Sequence, residues 1–209
     1  MKIVFVTPGM TFGGAERVIS ILANIWCDMG HDVSMFITAT NRAPVYKLNE
    51  KINVEYFADY NEKGVSHFKL ISSIRKFVNK EKADSVISFM NDVCAYTIVA
   101  LMGTGIPVIY SERNDPNKTN QGKVEKLCRK IVEIGAKHIV FQTNGARSCY
   151  SKKVQKKSSI ILNPVNLDKI PIRTKEKINY SEIVTVARLE PQKNQELLID
   201  AFSEVSKKH

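Results

Sequence analysis

Short runs of β-branched and aromatic residues alternate with amphipathic stretches along most of this chain, and no other feature limits its fold as strongly. The first run, Lys2–Thr7, ends at Pro8 and Gly9. Val18, Ile19, Leu22, Ala23 and Trp26 then recur at the spacing of one helix face. Gly30 stands where a helix end favours left-handed backbone, and Asp32–Ile37 reads as the next strand. A polar connection over 41–51 leads to a strand over 52–57. Leu70, Ile71, Ile74, Phe77 and Val78 mark a helix that Ser66 is placed to cap. The pattern continues with a strand over 85–89, an apolar helix over 93–102 and a strand over 107–110. Val124, Leu127, Cys128, Ile131 and Val132 give a further helix, closed by Gly135 and followed by a strand over 138–141. A short helix over 144–150 and a strand over 159–162 complete the series.

Repetition of this kind predicts an α/β fold, a Rossmann-like and mainly parallel sheet with helices on both faces. Such sheets bind ligands at the carboxyl ends of their strands. A hydrophobic content of 44% in 209 residues suffices for one good core. The expected division is a first domain over 1–170, a polar linker over 171–181 and a second unit over 182–209. That unit has a strand over 182–187, a loop over 188–193, and Leu197, Leu198, Ala201, Phe202 and Val205 on one helix face. One strand and one helix cannot bury such a face, so the second domain is expected to be incomplete and the chain truncated.

The formal net charge of +10 points to an anionic partner: a phosphorylated substrate, an anionic membrane surface or nucleic acid. Between Lys118 and Lys157 the basic residues include Lys123, Lys126, Arg129, Lys130, Lys152, Lys153, Lys156 and Lys157, opposed only by Glu125 and Glu133. Tyr150 is the one aromatic near the later lysines, which argues against a nucleic-acid module. Cys27, Cys94, Cys128 and Cys149, like the four histidines, lack the paired spacing of a metal or redox site. Buried or half-buried free thiols, no bound metal and a reducing, cytoplasmic compartment are the expectations.

After the first strand comes Gly9-Met-Thr-Phe-Gly13-Gly14, a glycine turn that lets a ligand approach a helix N-terminus. Its spacing matches neither the dinucleotide nor the nucleotide-triphosphate fingerprint. Gly13-Gly-Ala-Glu-Arg17, Ser111-Glu-Arg-Asn-Asp-Pro116, Asn163-Pro-Val165 and Val186-Ala-Arg-Leu-Glu-Pro-Gln-Lys-Asn194 occur in that order. Together they resemble the retaining GT-B glycosyltransferases of family four, over about the first half of such an enzyme.

The resemblance implies two facing Rossmann-like domains, the acceptor held mainly by the first and a nucleotide-diphosphate-sugar donor mainly by the second, with no cofactor and no metal. Arg188 and Lys193 would neutralise the donor diphosphate, with backbone at Gly13 and Gly14 lining the same cleft, since fixed cations and a helix N-terminus stabilise the departing charge. Glu16, Ser111, Glu112, Arg113 and Asn114 would lie on the acceptor side. Many relatives place a histidine near Arg113, so an acid-base role there does not carry over, whereas a guanidinium suits phosphate.

The family's paired glutamates, eight positions apart, have no counterpart in context. Glu125 with Glu133, Glu182 with Glu190, and Glu196 with Glu204 match only in spacing, which leaves the catalytic residues unassigned and the pair expected beyond the chain end. The family often works at the inner membrane face on lipid-linked acceptors, so the basic stretch is expected to meet anionic lipid. A glycan acceptor, a non-catalytic basic binding module and a nucleotide-sugar epimerase of the same architecture are the alternatives.

Overall fold

A computed structural model describes residues 1–57, 66–117, 122–164, 183–187, 189 and 191–207. The chain divides into two units, Met1–Val165 and Asn166–His209. In the first, strands β1 (Lys2–Thr7), β2 (Asp32–Ile37), β3 (Asn53–Tyr56), β4 (Ser85–Phe89), β5 (Val108–Ser111), β6 (His138–Phe141) and β7 (Ser158–Ile160) form one sheet. Their spatial order is β3-β2-β1-β4-β5-β6-β7, and every pairing is parallel. The order reverses between β1 and β4, which opens a crevice at the carboxyl edge of a doubly wound sheet.

The connecting helices are α1 (Gly14–Asp28), α2 (His67–Glu81), α3 (Asn91–Ala100), α4 (Lys123–Gly135), α5 (Asn144–Ser148) and α6 (Lys152–Lys156). Side chains alternate across the sheet because successive strand residues point to opposite faces. Ile3, Phe5, Met35 and Ile37 pack with α1, whereas Val4, Val6, Phe36, Val86 and Tyr110 pack with α2, α3 and α4. With both faces in use, the strands read as continuous apolar runs.

Gly30, at φ 84°, ends α1 in the expected left-handed conformation. Ser66 occupies the cap position of α2, but its side chain makes no capping bond. Arg75 of α2 donates to the carbonyls of Ala100 and Met102, satisfying acceptors that the end of α3 leaves open. The helix expected over 144–150 is α5, which ends at Ser148, and a further short helix, α6, follows it; each is capped by a hydroxyl, Thr143 for α5 and Ser151 for α6.

Gly135 does not end α4 by a left-handed turn. It is the last helical residue, and a Cβ there would lie 2.4 Å from Ile98 Cγ2 of α3, so the glycine permits close approach of two helices. In the second unit, residues 183–187 pair with no strand among the described residues, contrary to the strand expected over 182–187. A 3-10 turn, Pro191–Lys193, and helix α7 (Gln195–Ser206) follow. The linker, 171–181, lies outside the described residues.

Gly135→Ala is expected to destabilise the chain by about 1–3 kcal/mol through overpacking. Urea unfolding should show a lowered midpoint at unchanged slope. Combining it with Ile98→Ala should cost less than the two single changes summed.

Candidate functional site

The parallel topology brings the loops after β1, β4, β5, β6 and β7 to one edge. Two of the expected motifs meet there. Arg113, just past β5, donates to Asn163 Oδ1, just past β7, and Asn163 in turn donates to Gln142 Oε1 at 3.4 Å, just past β6. The Arg113 guanidinium also lies 4.7 Å from the Phe89 ring centroid, at the end of β4. Burial pulls its pKa below the ordinary value, and no carboxylate pairs with it among the described residues. A half-buried cation without a counter-ion is a receptor for an anionic or hydroxyl-rich ligand.

Beside it lies a cavity of 570 Å³ lined by Glu112, Arg113, Asn114, Gln142, Thr143 and Ser148 among others. Most of these groups are neutral hydrogen-bonding side chains, the kind that orients a polar ligand. The neighbouring Met90, at φ 72° and ψ 133°, begins α3 in a conformation that non-glycine residues rarely hold. Such strain clusters at functional edges. Asn114 Nδ2 approaches Met90 Sδ at 3.9 Å.

Glu112 is 2% exposed, and its carboxylate is spent on the protein. Oε1 accepts from the backbone N–H groups of Arg113 and Asn114 at 3.0 and 3.1 Å, and Oε2 accepts from Tyr150 Oη at 2.6 Å. It therefore positions the 112–114 loop rather than offering a free acid to the cavity. Tyr150 stacks obliquely on Phe141 and lies under the Arg129 guanidinium, 4.1 Å from its ring centroid. Burial, then the Glu112 charge, pushes the Tyr150 phenol well above its usual pKa, so it remains a donor. Ser111 is also buried, its Oγ without a partner among the described residues.

At the other side of the crevice, Gly13 is extended, φ −179°, so the turn does not need glycine for its backbone. A Cβ built there would stand 2.0 Å from Glu16 Oε2, the far end of a flexible side chain that can move aside. Glu16 folds back over the start of α1, where its charge suits the dipole. It also lines a 340 Å³ cavity with Gly9, Thr11, Thr40 and Arg42. Tyr46 Oη donates to the Gly13 carbonyl at 3.1 Å and braces the turn. Gly14 opens the helix with nothing within 4 Å of a Cβ position.

Arg188 lies outside the described residues, and Lys193 is an exposed residue of the second unit. The coincidental glutamates that are described have local uses. Glu125 accepts from the Gly122 N–H at the start of α4, Glu133 pairs with Arg129, and Glu204 pairs with Lys207.

The basic stretch is not one solvent-facing set. Arg129 is half-buried, donating to Glu133 and to the carbonyls of Pro116 and Cys149. Lys157 donates to the carbonyls of Ile134 and Ala136, closing the end of α4; burial, then the nearby Lys153 charge, lowers its pKa. Both are spent on the fold, since carbonyls at a helix end and the face of a phenol attract a cation. Lys123, Lys126, Lys130, Lys152, Lys153 and Lys156 are exposed. Cys27, Cys94 and Cys128 are buried and Cys149 is half-buried.

Gln142 and Tyr150 are the site residues that motif reading missed. Gln142 was accessible from its place one residue past a strand end. Tyr150 had no local signal, since its partner is 38 residues away.

The seven-stranded parallel sheet with helices on both faces defines a Rossmann-like α/β fold. Residues 12–169 match the Glycosyltransferase Family 4 model, and the chain belongs to that family. It is 27% identical, over 99% of its length and 58% of the relative's, to a transferase of Campylobacter jejuni subsp. jejuni serotype O:2. That protein is named GalNAc-alpha-(1->4)-GalNAc-alpha-(1->3)-diNAcBac-PP-undecaprenol alpha-1,4-N-acetyl-D-galactosaminyltransferase. Among solved structures, the lipopolysaccharide outer core galactosyltransferase WaaB in its apo form superposes with a TM-score of 0.64 at 18% identity, over 84% of this chain and 50% of that one. Anabaena Alr3699/HepE in complex with UDP gives 0.61 at 13%, over 80% and 45%. The chain thus spans about half the length of the relatives it matches.

Tyr150→Phe should leave Glu112 Oε2 buried without its donor and cost about 1–3 kcal/mol. Urea unfolding measures it, and an unchanged midpoint would mean that the phenol bond carries no net stability.

Proposed function

We propose that this chain supplies the acceptor side of a retaining glycosyltransferase that moves a sugar from a nucleotide-diphosphate donor to a hydroxyl of a lipid-linked or polysaccharide acceptor. The observation that carries the reading is Arg113. It is a half-buried cation with no carboxylate partner among the described residues, held by Asn163 and Phe89 beside an amide-rich cavity, within the residues that match the family. A diphosphate-linked glycan has the complementary chemistry: phosphate for the guanidinium, and hydroxyl or acetamido groups for Asn114, Gln142 and Thr143. The Campylobacter relative is named for such an acceptor, and the HepE structure holds UDP.

In the reaction, the acceptor hydroxyl attacks the anomeric carbon on the face from which the diphosphate departs. The carbon–phosphate oxygen bond breaks as the new glycosidic bond forms, and a departing phosphate oxygen takes the hydroxyl proton. Configuration is retained. Within this chain, Arg113 and its neighbours orient the acceptor, and Gly13 and Gly14 face the departing diphosphate. Arg188 and Lys193 would contribute from the second unit. No metal or organic cofactor enters this scheme, and the setting is the cytoplasmic face of a membrane. Membership of the family sets the epimerase alternative aside.

Calorimetric titration of the chain with a polyprenyl-diphosphate glycan tests the acceptor assignment. Arg113→Ala should weaken binding at least about ten-fold, as expected for loss of a charge-assisted contact, and Arg113→Lys should restore only part of it. Equal affinity in all three would overturn the role. The chain alone should bind acceptor and transfer no sugar, so measurable transfer by it would refute the division of labour. Retention is checked by NMR of the anomeric centre in the product of the complete enzyme.

A further inference from the structure

The loops after β1 and β2 hold a second cavity, across the crevice from Arg113, and no step of the proposed transfer occupies it. Its volume is 340 Å³, and Thr11, Glu16, Thr40, Asn41 and Arg42 line it among others. Backbone bonding frames its walls. The parallel pairing of β1 with β2 runs on past the strand ends, the Thr38 and Ala39 N–H groups donating to the carbonyls of Thr7 and Pro8, each at 3.0 Å. The Val45 N–H then returns to the Met10 carbonyl at 2.9 Å. Between these ties the Arg42 N–H donates to Thr40 Oγ1 at 3.1 Å, a local turn that fixes the backbone of the cation. A Cβ on Gly9 would stand 3.1 Å from Thr40 Cγ2, so the two loops already meet closely here. A cavity framed in this way keeps its shape without a ligand.

Two opposite charges line it, both unpaired. Neither Glu16 nor Arg42 makes a side-chain hydrogen bond or ion pair among the described residues, whereas Glu112, Glu125 and Glu133 are all engaged. A complementary ligand therefore donates on one side and accepts on the other. A carboxylate accepts from adjacent hydroxyls, and a guanidinium donates to a carbonyl or carboxylate oxygen. Thr11, Thr40 and Asn41 add neutral groups of both kinds. The volume is near the lower end of the range for ligand pockets, about 300–1,000 Å³, which suits one sugar ring rather than a long chain. Phe12, the residue after Thr11, is 83% exposed, and an aromatic face left in water is covered well by the C–H face of a pyranose.

From this arrangement we infer that the cavity between the β1 and β2 loops is a saccharide subsite, in which Arg42 selects a pyranose bearing an acetamido or carboxylate substituent while Glu16 receives its hydroxyls. This specificity rests on the proposed acceptor role and adds a demand to it: the sugar unit held here must offer an acceptor oxygen to Arg42.

Methyl glycosides carry no phosphate and so report on this cavity apart from Arg113. The isotope-labelled full chain is titrated with methyl N-acetylglucosaminide, methyl glucuronide and methyl glucoside, and followed by amide NMR. The Thr11, Thr40 and Asn41 amides should shift with the first two sugars. Methyl glucoside, which lacks the oxygen for Arg42, should bind about ten-fold more weakly. Arg42→Ala should lower the first two to the level of the glucoside, and Arg42→Lys should restore part of the preference. Glu16→Gln should weaken the acetamido sugar about ten-fold and leave its advantage over the glucoside. Thermal unfolding checks that each variant folds. Equal affinity for the three sugars, shifts confined to Asn114 and Gln142 of the other cavity, or no shifts up to the solubility limit would overturn the subsite. So would inorganic diphosphate that moves the same amides and depends on Arg42. Any of these results, with the Arg113 effect on the diphosphate-linked glycan intact, leaves the acceptor role standing. Loss of the Arg113 effect with the sugar shifts intact removes that role and keeps the sugar site.

Discussion

The candidate site depends on a buried carboxylate. A charged group removed from water is costly unless donors surround it, and Glu112 meets two backbone N–H groups and a phenol. The first two bonds shape the loop that carries Arg113 and Asn114; the third ties that loop to the connection between α5 and α6. Tyr150 is itself held between Phe141 of the sheet and the Arg129 guanidinium of α4. Four elements distant in sequence thus meet at one acid. The loop that carries the Arg113 guanidinium is held in place by the acid beside it.

Much of the fold was legible because a parallel sheet buried on both faces leaves a strong trace. Short apolar runs separated by helical periods allow few topologies once right-handed crossovers are required. The strand expected over 182–187 shows where such reading stops: Ile183, Val184 and Val186 have the composition of a strand but no pairing strand among the described residues. A strand exists by pairing, and pairing is not written in its own residues.

The site was legible in proportion to how local its logic is. Arg113 and Asn163 stand two and three residues past strand ends, and the topology brings those ends together. Arg129 and Lys157 were misread because a lysine or arginine looks alike in sequence whether it faces solvent, a phenol or a row of carbonyls. The sequence places Gly13 in a turn that admits a ligand and Gly135 at a helix stop, yet neither has positive φ. At Gly135 the reason is an atom the chain cannot accommodate, an Ile98 methyl, whereas at Gly13 a Cβ would displace only the flexible end of Glu16. Such steric reasons belong to packing partners and become visible only when the partner is in place.

Helix α4 follows the same rule from the opposite direction. Val124, Leu127, Cys128, Ile131 and Val132 all fit one helix face, and periodicity assigns them together to the core. The arc they span is wider than α3 and the sheet can cover, so part of it is left in water with lysines along its edge. The topology fixes where that uncovered part lies. A helix linking two parallel strands runs antiparallel to them, which sets the first turn of α4 at the carboxyl edge of the sheet, beside the cavity after β5 and β6. Asn91, at the start of α3, donates to the Glu125 carbonyl and fixes that turn in place.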